Sequence, residues 1–308
     1  MSVYLQFISI QDDGNSIIGA ASMTDRHWTG SIRYYNDHSN YNIDNSAVTI
    51  KIDSGASCGA FLDHERFIVG EDSGNLQIFE KCDNTDSIPE MHSIANACQH
   101  DDGLVSLSVF SDKSHTVTGG MDYCIKIWNV SELLSVNTFQ FAHTNIVTSV
   151  DTKPNSNSTF VSTSLDQEAL IWDIRLPLPA YSVLKKNCGL TTSTWNIQAE
   201  NILAIGAEDG HISIIDIRQA NEVVWEIPIL DRPLNKILYN SNSKKSDEIS
   251  CCGDNNLVVV VDTKKCKANE IPIIYESSIH KDFVRDLAWH NDYLFTCSWD
   301  NTVQKHLP

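Results

Sequence analysis

His100 with Asp122, and His143 with Asp166, are the pairs in this 308-residue chain best suited to do chemistry, since a carboxylate that orients an imidazole can make it a general base. Each pair precedes a tryptophan that ends a strand-like run, Trp128 and Trp172, and His280 with Asp300 repeats the pairing near the C-terminus. A reaction centre has no reason to recur at equivalent positions, whereas a structural clamp has every reason to. His100, Asp122, Trp128, His143, Asp166, Trp172, His280 and Asp300 are therefore expected to pin the fold, and no catalytic residue is assigned. The chain also lacks a nucleophile elbow, a phosphate-binding glycine loop and a cluster with metal-ligand spacing. An enzyme is not expected, nor a cofactor or a metal.

The elements that would carry these residues form a repeat. Seven short apolar runs end at Tyr35, Phe79, Trp128, Trp172, Ile215, Val260 and His306, about 43 to 49 residues apart. Three residues before each end stands an apolar or small residue (Ile32, Leu76, Ile125, Ala169, Ile212, Leu257, Val303), and six before it a turn former (Thr29, Ser73, Asp122, Asp166, Asp209, Asp254, Asp300). A period in this range, built of strands and tight turns, predicts an all-β, seven-bladed WD40 β-propeller whose blades are four-stranded sheets, occupying 1–308 as one domain. In the third unit the strands are expected at 105–110, 115–119 and 124–128. Pro308 follows His306 too closely to leave an outer strand for the seventh blade. That blade is expected to be incomplete, or to be closed by a partner or an irregular segment, because an open sheet edge invites strand addition.

Charge and cysteine usage narrow the partners. Against 40 acidic side chains stand 22 basic ones, a formal charge of −18 that repels a phosphate backbone and favours basic, Arg-rich protein segments. No direct nucleic-acid binding is expected. The longest aliphatic run, 257–261, is too short to span a bilayer, and 1–10 carries no basic leader, so neither membrane insertion nor secretion is expected. The nine cysteines contain no C-x-x-C spacing, and adjacent Cys251 and Cys252 would point to opposite faces of a strand. A reducing compartment, cytoplasmic and nuclear, fits this usage.

One turn breaks the repeat. From Gly70 to Ser73 the second-to-third-strand turn is short, but the first unit carries about seven extra residues between Gly19 and Thr29. This insertion reads as a loop tipped by Arg26, His27 and Trp28. Insertions in repeat arrays gather on one, often binding, face, and Trp and Arg are enriched among interface hot spots. Trp28 could instead fold back over its own blade. Trp299, in Ser298-Trp299-Asp300, stands one residue before its own turn position, as Trp28 does. Closure of the ring would make blades one and seven neighbours, so the two indoles are expected to share one aromatic patch.

With these segments in view, the chain resembles the methylosome WD-repeat subunits along nearly its whole length. The resemblance lies in His27-Trp28-Thr29-Gly30-Ser31, in His100-Asp101-Asp102 leading to 122–128, in Trp172-Asp173-Ile174-Arg175, and in the ending His280-Lys281-Asp282-Phe283-Val284-Arg285-Asp286, Trp299-Asp300 and Leu307-Pro308. The resemblance implies a non-catalytic scaffold that binds protein arginine methyltransferase five, the type II enzyme. It would present Arg-rich substrates such as histone tails and Sm proteins, the latter in snRNP assembly, within a hetero-oligomer. It further implies docking on the enzyme's N-terminal TIM barrel through blade one, with Trp28 entering a pocket there. Arg26, His27 and Trp299 are the other expected contacts. A different protein–protein role stays open on the sequence: 172–175 fits the W-D-x-R pattern of substrate receptors of cullin-based ubiquitin ligases.

Overall fold

A computed structural model describes residues 2–24, 27–37, 41, 45–82, 90–179, 181–219, 222–266 and 272–308. Its strands form seven antiparallel sheets, each built from strands consecutive in the chain. The first blade consists of β1 (Ser2–Ile10), β2 (Ser16–Thr24), β3 (His27–Tyr35) and β4 (Val48–Ile52), in that order from the axis outward. Five further blades repeat the four-stranded pattern, and the seventh has three strands: Val284–His290, Tyr293–Ser298 and Val303–His306. The expected seven-bladed propeller with a short last blade is therefore what the chain forms. The third unit's strands lie at Leu104–Val109, His115–Gly120 and Ile125–Asn129, each within a residue or so of expectation.

The third strands were readable by their spacing, and in blades three to six by continuous burial. A third strand is covered on both faces by neighbouring blades, so Ile125 to Trp128 and Val258 to Val261 are buried throughout. The inner strands carry a second shared feature. In all seven blades the ladder slips by one residue near the start of the inner strand, as between Leu5 and Phe7, Ala56 and Cys58, Leu104 and Ser106, and Val147 and Ser149, and likewise further on. Such bulges increase the twist of a strand, and here they recur at one level of the ring. The inner strands enclose an axial channel of about 370 Å³.

Each buried cluster joins two adjacent blades. The one that closes the ring combines Leu5, Ile8, Ile18, Ala20 and Tyr35 of blade one with Ala288, Phe295 and Cys297 of blade seven. The Ile8 amide donates to Asp286 Oδ2 at 2.9 Å, and Arg33 Nη2 donates to Asn301 Oδ1 at 3.0 Å. Tyr41, beyond β3, sets its ring edge-on to both Tyr35 and Phe295, so this side chain of blade one also covers the seam. All nine cysteines are free thiols.

Candidate functional site: the blade-one hairpin and the histidine clamps

The histidine–aspartate pairs form buried clamps with a hydroxyl at their centre. His100 Nδ1 lies 2.9 Å from Asp122 Oδ2 and Nε2 lies 2.8 Å from Thr118 Oγ1, while Trp128 Nε1 donates to the same hydroxyl at 2.8 Å. One assignment satisfies every group. Nδ1–H donates to the carboxylate, Thr118 turns its hydrogen to Nε2, and its lone pair accepts the indole N–H. Blade four repeats this with His143, Asp166, Ser162 and Trp172 at 2.7–2.8 Å. Burial works to raise the carboxyl pKa of Asp166, but the His143 hydrogen bond and the Thr144 amide outweigh it and bring it down to about 2. These imidazoles have no exposed side-chain surface and no open space for a substrate. They position strands.

The hydroxyls are what sequence reading missed, although a signal exists: Thr118, Ser162 and Thr296 each stand ten residues before the aromatic end of the third strand. In blade seven that end is His306. His280 bonds Asp300 Oδ2 at 3.1 Å and Thr296 Oγ1 at 2.7 Å, and His306 Nε2 takes the indole's place at 2.9 Å from Thr296. Its Nδ1 then lies 3.0 Å from the Tyr275 hydroxyl of blade six, which ties the two blades together. Burial, followed by the charge of His280, pushes His306 down to about 4. At this site the folded state therefore binds fewer protons than the unfolded chain between about pH 4 and pH 6.5, so the contribution of His306 to stability rises with pH through that window and is level above it. The His306→Gln variant should lose on the order of 2 kcal/mol of the stability difference between pH 7.5 and pH 4.5. Urea unfolding of both proteins at the two pH values measures it; an unchanged difference would show that His306 titrates normally.

The blade-one insertion is not a loop. β2 and β3 continue pairing past the end of the blade, through Ser22↔Thr29, Met23↔Trp28 and Thr24↔His27, so most of the extra residues extend a hairpin. The backbone groups of an insertion must find partners, and pairing two by two supplies them. Arg26 lies outside the described residues, and of His27 only the backbone is described, paired with Thr24. Trp28 is 42% exposed and Met23, directly opposite, 55% exposed. The indole neither stands free nor folds under its own blade. It leans across to blade two, where Nε1 donates to Asp72 Oδ2 at 2.6 Å.

Trp299 is not the counterpart of Trp28. Its amide donates to the Phe283 carbonyl, as those of Asp72, Met121, Glu208 and Asp254 donate to Gly55, Gly103, Gly189 and Pro233. It thus belongs to a ring of residues that follow the second strands, whereas Trp28 sits within the insertion. Trp299 packs edge-on to Tyr4 at 5.5 Å, beside Phe283, with the Arg285 guanidinium 5.2 Å from its ring. Among the described residues no ring contact joins the two tryptophans. The expected common patch is two separate sites, one on each side of blade one.

Arg175 of the W-D-x-R segment folds back on its own Asp173, which accepts from Nε at 2.8 Å and also pairs with Nη2. Arg218 does the same with Asp216. Among the described residues no group of three or more potential ligands is placed to hold a metal, and no helix is long and apolar enough to cross a membrane.

Seven sheets in a ring, held by His–Asp clamps with a hydroxyl hub, make this chain a WD-repeat β-propeller. The family model described as WD domain, G-beta repeat matches residues 93–129, 134–173 and 273–304, the three stretches that carry the His–Asp pairs of blades three, four and seven. Along its full length the chain is similar to Methylosome protein WDR77 of Xenopus laevis, 25% identical over 316 residues that cover 100% of this chain and 91% of the relative. It is also similar to Protein valois of Drosophila melanogaster, 22% identical over 68% of this chain and 62% of that protein. A guanine nucleotide-binding protein subunit beta of Nicotiana plumbaginifolia is 26% identical over 43% of this chain and 37% of its own length.

Proposed function

We propose that this propeller is a non-catalytic adaptor that binds a type II protein arginine methyltransferase and holds Arg-rich protein substrates, histone tails and Sm proteins among them, for that enzyme. One observation carries the reading. A hairpin insertion present in a single blade displays an apolar pair, Met23 and Trp28, beyond the body of the ring, in a chain similar from end to end to a methylosome protein. An exposed aromatic beside an exposed thioether chain, on a rigid strand pair, is the kind of anchor that dominates an interface. The formal charge of −18 suits arginine-bearing substrates through long-range attraction. Such an adaptor would work in the cytoplasm and the nucleus, where these substrates are made and used.

The purified chain, supplied with a methyl donor and a histone tail, should transfer no methyl group until the methyltransferase is added. Affinity purification with mass spectrometry should return that enzyme as the dominant partner. A ubiquitin-ligase adaptor in its place would overturn the reading.

A further inference from the structure

We propose that Asp72 is a positioning residue that latches the Trp28 indole, and that the partner cavity receiving this ring is consequently apolar and offers no hydrogen-bond acceptor to it. The proposal rests on the docking reading above and adds the chemistry of the receiving surface. An indole has one N–H and no acceptor. In Trp28 that N–H is already committed to Asp72 Oδ2, and a carboxylate acceptor makes the bond charge-assisted. The rest of the half-exposed ring is carbon, continued on the neighbouring strand by the exposed Met23 side chain. A partner therefore meets an apolar ring and thioether whose single N–H is already bonded within the propeller.

The latch has a built seat. Residue 55 is glycine, and a Cβ there would fall 2.1 Å from Asp72 Oδ2 and 2.5 Å from Trp28 Nε1, so bond and side chain cannot coexist. Its backbone serves the same junction, since the Gly55 carbonyl accepts from the Asp72 amide at 2.9 Å and so fixes the carboxylate's root. Asp72 is half-buried; burial drives its carboxyl pKa upward and the indole hydrogen bond opposes that. Each group thus supports the other: the indole satisfies a carboxylate that blade packing has partly desolvated, and the carboxylate holds the indole in one orientation. Ordering the ring before contact removes a cost that binding would otherwise bear.

The test measures affinity for the purified methyltransferase by calorimetry, using the full chain. Asp72→Ala is expected to weaken binding roughly five- to twentyfold, since it frees the ring and strands its N–H in a dry pocket. Asp72→Asn, which keeps an acceptor, should recover most of that loss. In the Trp28→Phe background, which has no N–H, Asp72→Ala should add nothing further. The Trp28 indole proton, assigned in spectra of tryptophan-labelled protein by its absence from Trp28→Phe, should move upfield in Asp72→Ala. Affinity unchanged by Asp72→Ala, together with strong loss in Trp28→Ala, would overturn the latch and mean that the partner supplies the acceptor. Additive effects of Asp72→Ala and Trp28→Phe would also overturn it. No loss in Trp28→Ala itself would overturn the docking reading, and the proposal with it.

Discussion

Replacing Trp28 with alanine should weaken association with the methyltransferase by at least about 2 kcal/mol, roughly thirtyfold, with the unfolding curve little changed. The two halves of this expectation have separate causes. Trp28 lies beyond the clusters that hold the blades together, and the hydrogen bond that the alanine variant cannot make is the one to Asp72, at the propeller surface. The exposed face of the indole, paired with Met23, is free to be buried by another protein. Titration of labelled chain with enzyme, alongside urea unfolding, separates the two. A fall in stability as large as the fall in affinity would mean that the residue supports the blade rather than the complex.

The second large effect is on the fold. Trp128→Ala should cost about 3–5 kcal/mol, because it empties a fully buried site, and it leaves the Thr118 hydroxyl without its indole partner. Trp128→Phe isolates the smaller part: most of the apolar volume stays, and the missing hydrogen bond should cost about 1 kcal/mol. The matching change at Trp172 has a further cost, since that ring stacks on Phe160 at 5.9 Å and meets Phe139 at 4.7 Å. Chemical denaturation followed by near-ultraviolet circular dichroism measures all three. Equal costs for the alanine and phenylalanine variants would mean that the hydrogen bond, rather than packing, holds the clamp.

Blade number and order were legible because the third strands recur at a nearly constant spacing behind a turn former, and in blades three to six they are buried on both faces. The His–Asp pairs were legible for a similar reason: they recur. Their hydroxyl hubs were not, since serine and threonine are common throughout the chain and only position, ten residues before the aromatic, singles out Thr118, Ser162 and Thr296. At the insertion, Ala-Ala-Ser-Met-Thr gives no alternation strong enough to announce a strand, and pairing between Met23 and Trp28 follows from register alone. The direction of the indole was beyond sequence altogether. It depends on a carboxylate in the next blade, 44 residues away, and on a missing Cβ at Gly55. Trp299 misled because position relative to a turn was counted from one side; the amide bond to Phe283 shows that it follows a second strand instead.

The seam between the first and last blades has a mechanical consequence. Among the described residues no ladder of backbone bonds crosses any seam between blades, but the others are each spanned by a connecting segment of chain, whereas the first and last blades are held by side chains meeting across the seam, with the bonds Ile8–Asp286 and Arg33–Asn301. A necklace fastened this way can unclasp without tearing any bead. Transient opening should therefore start there, and amide deuterium uptake at the facing edges of blades one and seven should outpace uptake between blades three and four.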